Sequence, residues 1–496
     1  MTMSRPERIK PAVAGAVALC LLAGARQGWA QEAAAPTQAP GMNQAPVPEF
    51  GTPMQGAGIS AGPVPQLGVV PQAAVGANGI RQDMLAISQG LGEVDNVDLT
   101  ADGRSQTLSM TGIDFGLQRS GANFNANALG DLQYLAYLQG AYPSHLFGNV
   151  NAEADASMFD HRLKFTVQDN YGDAQLNVQN PVTPANLEHV NVVNAGPDLT
   201  LMPFNDVVVQ VGAHYARDSY EISPFDGEQF TETFSVTRLL SPVSNIGLVA
   251  DLNQKRFDNT LVNTDYDRSQ FFLKYQIIGA RTQIQAAAGE GQANDGPGWV
   301  HTGVGEIQIR HSLSALINVS LDAGRNLTDA TSNFSVLQAG AAGGIVVAPV
   351  ALTTGSYVAN YASGTVQAQG LRTTIGFTAR WERDVYAQDQ FLNASHGDYQ
   401  ISLQRRLTPM VSGRVFVMAD HWNYLNQGFG YTTYQEGLEA TVRPGRHFSF
   451  LFRYLHASEV MSSPGQGYKE NLVYVGVSWQ PFAPREVAAP DAAVAP

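Results

Sequence analysis

The chain has 496 residues, a formal net charge of −14, 15% charged and 9% aromatic residues, and a single cysteine, Cys20. That length exceeds one ordinary core of about 150 residues, so it implies several domains or one large barrel. Without residues 1–30 the balance is 25 basic against 42 acidic residues, a net charge of −17 with no thiol left. Nucleic acid is excluded as a partner because it demands cationic surface, and disulfides, zinc fingers and cysteine nucleophiles are excluded with the thiol.

Arg5, Arg8 and Lys10 precede a 13-residue apolar run, 12–24, and Gly28-Trp29-Ala30 gives the small-x-small pattern cleaved before Gln31. Residues 1–30 therefore read as an export signal, since a membrane-crossing helix needs about 20 apolar residues. Leu19 stands where a lipoprotein signal needs a small residue before its cysteine. Residues 31–104 read as a periplasmic tether: 31–80 hold 8 Pro, 8 Gly, 10 Ala and 6 Gln, a composition that builds no packed core. Within it, 80–91 places Met84, Leu85, Ile87 and Leu91 near one helical face.

From 105 to 482 the apolar period is two. Val150, Ala152, Ala154 and Ala156 alternate with Asn149, Asn151, Glu153 and Asp155, and Leu163, Phe165 and Val167 alternate with Lys164, Thr166 and Gln168. The pattern returns in Val207 to Tyr215, in Phe271, Leu273, Tyr275 and Ile277, in Ile317, Val319 and Leu321, and in Tyr399, Ile401 and Leu403. Such segments are half-apolar strands. Alternation fits a soluble sandwich equally well. Segments of about ten residues, a polar face rich in Gln, Arg, Asp and Gly, and alternately short and long connections favour a membrane barrel. The short links are 240–243, 278–280, 311–313, 407–410 and 443–446; long ones include 218–228, 258–265 and 382–397. The expected fold is all-β, a transmembrane antiparallel barrel of about 16–18 strands behind a disordered Pro/Ala/Gly/Gln-rich N-terminal segment, with a disordered tail over 483–496. Its setting is the outer membrane of a Gram-negative cell, its partners outer-membrane lipid and the barrel-assembly machinery.

The last strand, 471–480, sets Val473, Val475, Val477 and Trp479 against Tyr474, Gly476 and Ser478. Tyr474, Gly476, Trp479 and Phe482 resemble the C-terminal assembly signal of outer-membrane barrels, although Pro481 stands where a last apolar residue is usual. Further motifs are Asn170-Tyr171-Gly172-Asp173, Thr183-Pro184-Ala185-Asn186, Gly196-Pro197-Asp198-Leu199, Arg238-Leu239-Leu240-Ser241-Pro242 and Asp265-Tyr266-Asp267-Arg268, with Arg406-Leu407-Thr408-Pro409 echoing the fourth. On these residues the region 105–482 resembles outer-membrane β-barrel proteins associated with exopolysaccharide and exosortase gene clusters of proteobacteria. The resemblance implies a channel or accessory barrel for polysaccharide export, with polysaccharide and periplasmic export components as partners. It supplies no catalytic residues, and the two Pro-containing turns are explained by proline setting φ beside a hydrogen-bonding Ser or Thr.

No G-x-S-x-G elbow and no i, i+4 histidine pair is present, so the sequence assigns no enzyme, cofactor or metal site. Asp265 with Asp267, and Glu290 with Asp295, offer oxygen ligands without EF-hand spacing. The candidate lumen-lining residues are Arg162, Lys164, Arg268, Lys274, Arg372, Arg380, Arg414 and Arg453, among many Gln and Asn. Three readings follow: polysaccharide export, a general or substrate-selective porin for small solutes, and a non-conducting barrel that anchors an envelope complex. The segment 326–355, rich in small residues, is expected to follow an upward strand and fold inward to constrict the pore.

Overall fold

The computed structural model describes residues 84–294, 298–340, 347–348, 355–462 and 467–481. The export signal, the tether up to residue 83, Phe482 and the tail 483–496 lie outside the described residues. Strands account for most of the described chain: β1 (Met84–Val94), β2 (Gln106–Ser120), β3 (Phe124–Tyr137), β4 (His145–Met158), β5 (Leu163–Gln175), β6 (Leu187–Phe204) and β7 (Val207–Tyr220). They continue with β8 (Gly227–Ser241), β9 (Ser244–Phe257), β10 (Tyr266–Ile278), β11 (Thr282–Asn294), β12 (Trp299–Ser314) and β13 (Ile317–Thr328). After helix α1 (Ala330–Gly340) come β14 (Val347–Ala348), β15 (Tyr357–Gln369), β16 (Thr373–Tyr386), β17 (Ala394–Arg406), β18 (Val411–Tyr424), β19 (Phe429–Val442), β20 (Phe448–Met461) and β21 (Lys469–Trp479).

All of these except β14 form the wall. Each pairs antiparallel with the next, β13 passes directly to β15, and β21 pairs with β1 from Ile87↔Trp479 to Val94↔Leu472. The result is a closed barrel of 20 strands, two more than the upper end of the sequence expectation. One addition is β1, in the stretch assigned to the tether, so the wall starts at Met84 rather than near 105. Its outward face is Leu85, Ile87, Gln89, Leu91 and Glu93 and its inward face is Ala86, Ser88, Gly90, Gly92 and Val94, so polar residues outside and small ones inside blur the period of two. Residues 105–139 carry two strands, β2 and β3, and β15 begins at Tyr357, after the 326–355 segment.

Side chains alternate as lipid outside and water inside require. Phe271, Leu273, Leu248, Val473, Val475 and Trp479 are exposed on the outer face, whereas Asp218, Lys255, Lys274, Glu439 and Arg453 are buried on the inner one. Among the described residues no helix is long and apolar enough to cross a membrane. The tight turns at 242–243, 279–281 and 370–372 lie at the end where β1 starts and β21 stops; at 311–313 strand β12 runs on to Ser314 and the turn falls at 315–316. The opposite rim carries the longer connections.

Two of those connections fold into the lumen, and part of the inner wall is apolar where the alternation predicted a polar face. Val94, Leu108, Met110, Leu135, Phe147, Met418, Leu451, Leu455, Leu472 and Tyr474 form one buried cluster with Val182 of the β5–β6 connection and Leu187 at the start of β6. These side chains form a core inside the barrel, so this sector of the lumen is packed.

At the closing seam the Tyr474 ring lies across two glycines. A Cβ on Gly90 would fall 2.0 Å from Tyr474 Oη, and one on Gly476 would fall 2.1 Å from it. Replacing Gly90 with valine overpacks the seam, a change that costs about 1–3 kcal/mol in a close-packed interior. The folded, heat-modifiable band of the Gly90→Val protein in detergent should therefore disappear at a lower temperature than that of the wild type, with valine at the exposed turn position Gly445 as the neutral control.

Candidate lumenal site

The outer third of the lumen is shaped by the two infolded connections. Residues 176–186, between β5 and β6, close on themselves through Asn186: its side chain donates to the carbonyls of Asn177 at 2.9 Å and Pro181 at 3.1 Å, and its Oδ1 accepts from Asn177 N at 3.0 Å. The Thr183-Pro184-Ala185-Asn186 motif thus folds a loop. Its far side reaches β18 and β19, where Tyr424 Oη and Tyr431 Oη both donate to Val178 O, at 3.1 and 3.3 Å. Val178 packs there with Ala394, Trp422 and Tyr424.

The second connection leaves β13 and turns inward at Asp329, which caps α1 by accepting from Ser332 N at 2.9 Å and pairs with Arg268 of β10 at 2.8 Å. Gln270 Nε2 donates to Leu327 O at 2.9 Å, and Lys255 Nζ donates to Thr331 Oγ1 at 3.3 Å. Phe334 is buried with Ala174, Val190, Val192 and Tyr220, all on the inner faces of β5 to β7. β14 then pairs in parallel with Asp173 and Ala174 of β5. The segment expected to fold inward does so, as a helix beside a lumenal tyrosine; Ile345 and Val346 of its apolar stretch lie outside the described residues.

Six of the eight candidate lining residues face the lumen, and acids take up most of their charge. Arg453 pairs with Glu439 at 2.7 Å, Arg414 approaches the same carboxylate at 3.6 Å, Lys164 lies 3.9 Å from Asp155, and Arg380 binds Glu382. Arg268 holds Asp329 as described, and Lys274 is buried on the inner face of β10. Arg162 and Arg372 are instead exposed in the β4–β5 and β15–β16 turns, because the strands begin one residue later than their alternation indicates. Asp265 accepts from Phe257 N at 2.8 Å and Asp267 pairs with Arg256 at 2.7 Å, so both are accounted for by loop structure. Tyr474 and Gly476 face inward at the seam and Trp479 outward.

Between the 176–186 loop and β18–β20 lies a small recess lined by Gln175, Asp420, Trp422, Tyr431, Glu459 and Tyr468 among others. Trp422 is stacked on His396 with centroids 4.4 Å apart, and its Nε1 donates to Asp420 Oδ2 at 2.9 Å. Glu459 accepts from Thr433 at 3.3 Å through one oxygen, while its other oxygen and Asp420 Oδ1 are buried with no hydrogen-bond partner. Aromatic faces beside two carboxylates suit a cationic or polyhydroxylated solute. Nothing in the sequence pattern marked Trp422 or Glu459; the loop that makes them a cavity wall comes from across the barrel.

No protein-family model matches the chain, and no curated protein matches it. Among solved structures it is similar to the F3-3 variant of the FrpB iron transporter from Neisseria meningitidis, at 8% identity and a TM-score of 0.38 over 81% of this chain and 82% of that one. It is also similar to OccK2 of Pseudomonas aeruginosa, at 9% identity and 0.35 over 80% and 98%, and to a BenF-like porin of Pseudomonas fluorescens Pf-5, at 9% and 0.35 over 81% and 99%. The likeness is one of fold.

Glu439 is the acid on which two arginines depend. Glu439→Gln leaves Arg453 buried without its counter-charge, a loss of about 3–5 kcal/mol for a buried pair. Urea unfolding of the variant in detergent should shift to a clearly lower midpoint, and Glu439→Gln with Arg453→Met should recover part of the loss.

Proposed function

We propose that this chain is an outer-membrane channel for small polar solutes, narrowed at its outer end by α1 and the 176–186 loop and favouring cations over anions. The observation that carries the reading is the pair of infolded connections, docked on opposite sectors of an otherwise aqueous barrel. A barrel of this strand number encloses a wide bore when empty. Here the bore is divided by side chains that belong to the protein itself. Lumenal arginines are neutralised by acids, whereas Asp420 and Glu459 have no lysine or arginine ion pair among the described residues. Where these two carboxylates are ionised they favour cations over anions at the recess.

The polysaccharide route implied by the family resemblance needs a continuous bore, and both connections would have to leave the lumen to open one. The scaffold reading needs no bore at all. Planar-bilayer recording separates the three. Wild-type protein should give small, cation-selective single-channel steps. Arg268→Ala combined with Phe334→Ala, which removes the ion pair and about 3 kcal/mol of apolar burial under α1, should give larger steps. Equal conductance in the two proteins would refute the constriction, and the absence of steps in both would favour the scaffold. A deletion strain that loses extracellular polysaccharide while solute uptake stays normal would restore the export reading.

A further inference from the structure

The outer rim holds a cluster of side chains that the channel does not use. β4 pairs with β5 only as far as Val150↔Tyr171. Beyond that point the two strands part, and the gap gathers His145 from the start of β4, Asp173 from the end of β5 and His189 from the start of β6. One nitrogen or oxygen of each lies within 4.8 Å of the others. His189 Nδ1 is 2.8 Å from Asp173 Oδ1, and the His145 and His189 rings are stacked with centroids 5.2 Å apart. His145 Nε2 is buried and has no hydrogen-bond partner.

We infer that His145, Asp173 and His189 form a binding site for a borderline divalent metal ion of the zinc type. Two imidazoles and one carboxylate are the donor set such ions take when three protein ligands leave a fourth position for water. Bond lengths of about 2.0–2.2 Å in tetrahedral geometry place ligand atoms about 3.4 Å apart, so a ring swing of about an ångström closes the set. The orphaned Nε2 of His145 gains a partner in that move. The supporting shell is already built. Asp173 Oδ2 accepts from Gly148 N at 2.8 Å, so Oδ1 is the oxygen that exchanges its contact with His189 Nδ1 for the ion, while Glu221 Oε2 accepts from His189 N at 3.2 Å and stands 3.8 Å from its Nε2. Outer carboxylates and amides of this kind orient metal-binding histidines and raise their basicity. Asp173 is also the residue on which β14 docks, so the ion ties the landing point of the infolded segment to β4 and β6. Sequence spacing hid the site because each ligand sits on a different strand.

The site is tested on full-length protein folded in detergent, stripped with chelator and titrated calorimetrically with zinc chloride. Wild type should bind one ion. His145→Asn and His189→Gln should each weaken binding by at least about tenfold, the scale of losing even an outer-shell partner, while His421→Asn, on β18, should bind as wild type does. Glu221→Gln changes an exposed rim side chain, and its partial loss of affinity keeps the test decisive if a histidine variant does not fold. Cobalt(II) should give the intense visible bands of a tetrahedral site in wild type and not in His145→Asn. No zinc binding by folded wild type, or equal binding by His145→Asn and His189→Gln, overturns the assignment. Both readouts are taken without current recording, so they stand or fall apart from the channel reading.

Discussion

Everything in this barrel follows from the requirement that each backbone amide and carbonyl at membrane depth find a partner within the protein, because hydrocarbon offers none. A sheet meets that requirement only when its last strand returns to its first. The eight-pair ladder between β1 and β21 is that return, and it sets the demands on both strands. Their outer faces carry apolar residues such as Leu91 and Val475, and the polar Gln89 and Glu93 on the β1 face accept from Thr111 and Thr107 of β2. Their inner faces must pass a tyrosine across the join, so Gly90 and Gly476 carry no side chain where Tyr474 lies.

Closure creates a second problem inside. Twenty strands enclose more volume than the wall side chains fill, and a charged residue pointing inward meets the charges of facing side chains before it meets bulk water. The protein resolves both together. In the sector of β1–β4 and β18–β21 part of the inner wall is apolar and packs with Val182 of the 176–186 loop and Leu187 of β6. In the sector of β5–β10 the charges are used as anchors: Asp218 takes Lys255, whose ammonium also binds Thr331, and Arg268 takes Asp329 at the cap of α1. Breaking a buried pair is costly because one charge is left behind. The infolded segment is therefore held at its root by electrostatics and along its length by Phe334.

Strand after strand could be read from alternation, since Phe271, Leu273 and Tyr275 against Gln270, Lys274 and Gln276 leave no other face for lipid. The same rule failed at β1, where glycine, alanine and serine make the inner face too small to contrast with the outer one. It placed Lys164, Arg268, Lys274, Arg380, Arg414 and Arg453 on the inner wall, because side is a local property of a strand. It could not place Trp422 beside Gln175, or His145 beside His189, because those meetings depend on which strands are neighbours around the wall and on where a loop lands across it. Arg162 and Arg372 show the limit at strand ends, where one residue of boundary separates a lumen wall from a turn.

The docking of β14 joins these strands of argument. At the rim β5 loses β4 as a partner after Tyr171, so Asp173 and Ala174 would present an open sheet edge. Such an edge is tolerable only above the hydrocarbon, where water can serve its backbone groups. Val347 and Ala348 occupy it in parallel pairing, and the carboxylate of Asp173 reaches back to Gly148 N across the parting. Completing the wall at this corner and holding the constricting segment in place are consequently one event. A segment docked this way adds its pairing above the hydrocarbon, so every ladder that lipid surrounds is complete without it.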